Sequence, residues 1–158
     1  MPKSKKFGLR TVVTFTSSSF LTADMEGKPR FRGTYGDDVA IWLMLEMGLD
    51  GIDIVPGLNQ SDDGWFYVFR IGGRRYIAWI KLYDQSRLLW QVALECDASG
   101  PAAWFGGRRR GVRPPVAQAL HTVLLRSDKA TNISWYVERD IRAGNEGKGS
   151  PGPMATTG

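Results

Sequence analysis

The chain has 158 residues, 42% of them hydrophobic and 23% charged, with six tryptophans, the composition of an ordinary globular domain and not of a disordered chain. Its net charge is +5, but Lys3, Lys5, Lys6 and Arg10 with Arg108, Arg109, Arg110 and Arg113 carry eight positive charges, so the remainder is −3. The longest strongly apolar run, residues 39–45, is far short of the roughly 20 residues that span a bilayer. The N-terminal segment lacks the apolar core of a secretory signal, and a lone Cys96 builds no disulfide framework. A cytoplasmic protein with no membrane partner is therefore expected.

Residues 1–8 read as a basic tail and residues 9–142 as a single domain. The Gly, Pro, Ser and Thr content of residues 143–158 predicts a disordered tail. Within the domain, β-branched residues alternating over 9–20 predict a first strand, followed by a long loop holding Gly27, Pro29 and Gly33. Asp37 or Asp38 is placed to cap a helix that runs to Met47 and stops at Gly48. On a helical wheel Val39, Ala40, Ile41, Leu43, Met44, Leu45 and Met47 form a wide apolar arc. Asp38, Trp42 and Glu46 are left on the outer stripe, with Trp42 expected in solvent.

A short strand at 52–54 ends at Pro56 and Gly57, and residues 58–64 read as an acidic loop. Trp65, Tyr67, Phe69 and Ile71 alternate with Phe66, Val68 and Arg70, and Gly72-Gly73 supplies a two-residue hairpin turn. The return strand over 74–83 and a third over 88–96 complete an antiparallel meander, with Cys96 on its apolar face. Pro114-Pro115 opens a second helix that runs to Arg126, with Val116, Leu120, Val123 and Leu124 inward and Leu125 wet. Residues 132–137 alternate as a last strand. The fold expected is α+β: an antiparallel sheet of five to six strands around a meander, with two helices packed on one face.

Chemistry is sparse. The single histidine, His121, falls at the edge of the polar face of its helix and reads as a boundary residue without a role, so zinc sites and histidine-dependent triads are not expected. A carboxylate mechanism would need Glu46, Asp50, Asp53, Asp62 and Asp63 to converge, and their spacing matches no motif; nor is there a phosphate or dinucleotide loop. No cofactor or metal is expected.

Two features favour binding. Residues 33–69 hold seven carboxylates and no Lys or Arg. Asp38, Trp42, Glu46, Asp50, Asp53, Asp62 and Asp63 therefore form a candidate acidic face for a basic protein partner, in the manner of an inhibitor or immunity protein. The alternative is nucleic acid or phosphate binding by Trp104, Arg108, Arg109, Arg110 and Arg113, just before a helix start.

Overall fold

The computed structural model describes residues 9–22, 35–97 and 111–154. In chain order these form β1 (Val12–Thr16), α1 (Asp37–Leu49), β2 (Asp53–Ile54), β3 (Asn59–Gln60), β4 (Gly64–Ile71), β5 (Arg74–Asp84), β6 (Leu89–Cys96), α2 (Pro114–Arg126), β7 (Thr131–Tyr136) and α3 (Glu138–Arg142). A single 3-10 turn, Glu146–Lys148, follows. The seven strands make one sheet in the order β2-β4-β5-β6-β1-β7, with β3 beside β2 on the outer edge of β4. All pairings are antiparallel. The expected α+β meander sheet with two helices on one face is what the chain adopts.

The β4–β5 hairpin forms because its sequence alternates and because Gly72 (φ 60°) and Gly73 (φ 77°) accept the left-handed conformation that its two-residue turn demands. Pairing in this register stacks Trp65 on Ile80, Tyr67 on Ala78 and Phe69 on Tyr76 across the same face. Neighbouring strands extend that face with Val92, Leu94, Val13, Phe15 and Trp135, all 0–2% exposed. Against it α1 places Val39, Ala40, Leu43 and Met47, and α2 places Val116, Ala117, Leu120, Val123 and Leu124, none more than 2% exposed. Burying these side chains is the principal stabilisation of the fold, at about 25 cal/mol per Å² of apolar surface.

Several details differ from expectation. The N-cap of α1 is Gly36, and Asp38 instead accepts hydrogen bonds from the amides of Val39 and Leu21, both at 2.9 Å, which ties the end of the first-strand segment to the helix. The helix continues through Gly48 to Leu49, and the chain turns left-handed at Gly51 (φ 83°). The acidic loop at 58–64 contains β3, whose two polar residues extend the edge of β4 without any hydrophobic signature.

A third helix, α3, lies on the opposite face of the sheet. Its Ile141 packs with Val12 and Tyr136, beside Ala93 and Tyr83. Beyond it, the tail expected to be disordered from residue 143 folds back along the outer edge of β7. Trp135 and Ser150 exchange both backbone hydrogen bonds, at 2.6 and 2.8 Å, the Arg10 amide donates to the Pro153 carbonyl at 2.9 Å, and Arg87 grips Glu146 through two contacts of 2.8 and 3.0 Å. The composition that argues against regular structure thus serves here to cover a strand edge that would otherwise present unpaired backbone groups. Among the described residues, no helix is long and apolar enough to cross a membrane.

Candidate functional site

Position by position, α1 is apolar around nearly its whole circumference, so one side of it must meet either the core or water. The structure resolves this differently from the wheel. Trp42, expected on the outer stripe, is only 8% exposed. Its ring packs on Phe15 and Phe20, with centroids 6.3 and 5.3 Å away, and the Lys129 ammonium stands 5.9 Å from it. Bringing so large a ring inward turns Ile41, Leu45 and Leu49 out, and they are 48%, 65% and 80% exposed. Spaced four residues apart, they form one stripe along the solvent side. Leu125 on α2, expected in solvent, is 61% exposed.

The proposed acidic face is not a bare patch. The cations missing from residues 33–69 arrive from elsewhere in the chain. Arg126, at the end of α2, reaches Asp50 at 2.5 Å and Glu46 at 2.8 Å, and hydrogen bonding to both carboxylates raises its own pKa further. Arg70 pairs with Asp53 at 3.2 Å, and Lys81 approaches Asp63 at 3.9 Å. Glu46 and Asp50 therefore meet around a guanidinium, not around an empty site. Asp53 faces Arg70 near one end of β4 and Asp63 precedes Gly64 at the other, a separation of about 20 Å at ~3.3 Å per residue. Asp62 is exposed beside Asp63. The five carboxylates do not converge, and among the described residues no group of three or more His, Cys, Asp or Glu is placed to hold a metal ion.

Of the alternative anion-binding set, Trp104, Arg108, Arg109 and Arg110 lie outside the described residues; Arg113 is exposed at the start of α2 and makes no side-chain capping bond.

His121, expected at the edge of the polar face without a role, is buried at 8% exposure, where its Nδ1 accepts a 3.0 Å hydrogen bond from the Trp135 indole Nε1. Burial lowers its pKa below the ordinary histidine value. This is a structural role, and the sequence hides it because its partner sits in β7.

Three recesses are relevant. One, of about 730 Å³, opens between the end of α1, the tip of the β4–β5 hairpin and the first half of α2. Another, of about 510 Å³, lies beside Trp42, Glu46 and Lys129. A third, of about 290 Å³, lies on the face opposite the core, bordered by Trp79, Lys81, Glu95 and Arg142. On that face Phe66 and Trp79 pack with centroids 4.5 Å apart. The Trp79 indole nitrogen is buried without a hydrogen-bond partner among the described residues.

The feature the sequence reading missed is the stripe of Ile41, Leu45 and Leu49. Its signal was present as an apolar i, i+4, i+8 series, but that series overlapped the core series on the same helix. No family model matches this chain, and neither a curated protein nor a solved structure matches it significantly.

Proposed function

We propose that this chain is a protein-interaction module of the inhibitor or immunity type, which docks through the solvent face of α1 onto a basic-rimmed apolar surface of its partner. The observation that carries the reading is the stripe of Ile41, Leu45 and Leu49, from half to four-fifths exposed on a helix whose other sides are packed. Anchors spaced in this way are those an amphipathic helix lays into a groove, and contiguous exposed apolar surface on a folded domain marks interaction sites.

Charge selects the partner. Asp37 and Asp38 stand at one end of the stripe; toward the other, the three carboxylates of Glu46, Asp50 and Asp53 outnumber the two cations paired with them, Arg126 and Arg70. Two copies meeting antiparallel about Leu45 would set Asp37 and Asp38 of one against Asp50 and Asp53 of the other, and a parallel meeting would oppose like ends. Both arrangements juxtapose like charges, whereas Lys or Arg around an apolar centre complements the surface.

The test uses two amphipathic helical peptides, one of leucine and lysine and one of leucine and glutamate, titrated against the protein at low and physiological salt. The lysine peptide should bind, more weakly as salt rises, and the glutamate peptide should not. Ile41→Gln with Leu45→Gln and Leu49→Gln should abolish binding. Equal binding of both peptides, or binding that survives the triple change, refutes the reading. Retention of nucleic acid that disappears in Arg108→Ala with Arg109→Ala and Arg110→Ala, with no peptide binding, would transfer the function to the arginine segment.

A further inference from the structure

We infer that the cleft of about 730 Å³ is the anchor site for an arginine side chain of the partner, a deepening that rests on the docking reading above. The cleft begins where the stripe ends. Leu49 is followed directly by Asp50, the first residue to line it. A partner segment lying along Ile41, Leu45 and Leu49 therefore runs into it. Its volume lies within the ~300–1,000 Å³ usual for ligand pockets, enough for a long side chain with part of its backbone.

The chemistry of the walls selects the occupant. Ile52, Ile71, Pro115 and Ala119 provide apolar surface of the kind that accepts a methylene stem. Gly51, Gly72 and Gly73 contribute backbone alone, and a Cβ added at any of them would meet nothing within 4 Å, so this wall stands clear. At the rim are two carboxylates, Asp50 and Asp53, and one cation, Arg70. Asp50 is held by Arg126. Asp53 is held by one contact to Arg70, with the two side chains 63% and 42% exposed. An exposed single-contact pair of this kind is weakly held, so an incoming guanidinium can take the Asp53 carboxylate in the bidentate geometry that suits it, while Arg70 turns to solvent. The Thr122 hydroxyl already donates to the Gln118 carbonyl, which leaves the two carboxylates and Arg70 as the polar groups that decide the occupant. An anionic group could reach Arg70 only beside Asp50 and Asp53, two carboxylates to one lining cation; a neutral one would forgo the charge-assisted bond.

The experiment is an amide-resolved NMR titration of the full chain with N-acetyl-arginine methylamide, with the uncharged citrulline analogue as its near-isostere. The arginine probe should shift the amides of Gly51, Gly72, Gly73 and Ala119 in a saturable manner, and the citrulline probe should not. Asp53→Asn should weaken the arginine probe about tenfold, the loss of one charge-assisted contact, and Arg70→Ala, which removes the competitor, should tighten it. Equal shifts from citrulline, shifts located elsewhere, none up to the solubility limit, or wild-type affinity in Asp53→Asn would each overturn the assignment. If the arginine probe fails while the leucine–lysine peptide still binds through the stripe, this inference falls and the docking reading stands. If the arginine probe binds and the peptide does not, the cleft is an arginine site independent of the stripe.

Discussion

The buried pair of His121 and Trp135 yields a pH dependence that can be assigned to one residue, because the chain has one histidine. An indole N–H can only donate, so Nδ1 of His121, 3.0 Å from Trp135 Nε1, must carry a lone pair. The native imidazole is therefore neutral, with its proton on Nε2, and protonating Nδ1 would set two donors against each other. Burial already lowers the native pKa, while the unfolded chain keeps the ordinary value of about 6.5. The unfolded state thus binds the proton first. Stability is complete above about pH 6.5 and is lost as the pH falls from there toward the native pKa, by at most about 1.4 kcal/mol per pH unit. His121→Leu removes the titration and also leaves the Trp135 donor without its acceptor, a loss of about 1–3 kcal/mol. His121→Asn retains a side-chain oxygen able to accept. Urea unfolding followed by circular dichroism, at about pH 7.5 and about pH 5.5, separates these terms. Wild type should lose stability between the two. His121→Leu should start lower and change less, and His121→Asn should lie between them at the higher pH. Equal pH responses in wild type and His121→Leu would show that the imidazole is not held neutral in the fold.

Gly64→Ala should cost about 1–3 kcal/mol or more, because its Cβ would overlap the Ile80 carbonyl in the backbone of β5, which has no free rotamer with which to yield; unchanged urea unfolding would contradict the β4–β5 register. Leu45→Gln with Leu49→Gln should leave stability within about 0.5 kcal/mol per site, since these side chains are 65% and 80% exposed and Gln is nearly as good a helix former as Leu. A loss of several kcal/mol would place the stripe in the core. Arg126→Ala should change stability little, as is usual for an exposed ion pair, while tightening binding of the leucine–lysine peptide, because Glu46 and Asp50 lose their shared cation; weaker binding would contradict the charge argument.

The sheet was legible wherever one face is buried and one is not. Trp65, Tyr67 and Phe69 alternate with partly exposed residues, and Gly72-Gly73 marks the reversal, so strand, register and turn follow from the same stretch of sequence. Legibility failed where that contrast is absent. Asn59 and Gln60 form β3 through backbone pairing with Phe66 and Trp65, and neither side chain advertises a strand. Residues 144–153 lack propensity for regular structure, yet they hold their course because Glu146, Ser150 and Pro153 find partners outside the segment, in Arg87, Trp135 and Arg10. The role of His121 depends on an indole 14 positions away, beyond any helical wheel.

Helix α1 is the more instructive failure. A wheel orients a helix by contrast, and a run from Val39 to Leu45 that is entirely apolar offers almost none. Its orientation was settled by tertiary packing: the space bounded by Phe15, Phe20 and Lys129 takes the indole of Trp42, and rotation about the helix axis then sends Ile41, Leu45 and Leu49 to water. The charge asymmetry of residues 33–69 was visible from the start, but its meaning changed once Arg126, Arg70 and Lys81 entered from outside the segment. What folding leaves unexplained is therefore the leucine and not the carboxylate. At 80% exposure Leu49 adds little to the core, and Lys, Gln or Glu would serve the helix nearly as well without the apolar surface. Three such positions on one stripe, ending at a cleft bordered by Asp50, Asp53 and Arg70, make a surface that the stability of the isolated fold does not account for, and it is on this surface that the proposed docking rests.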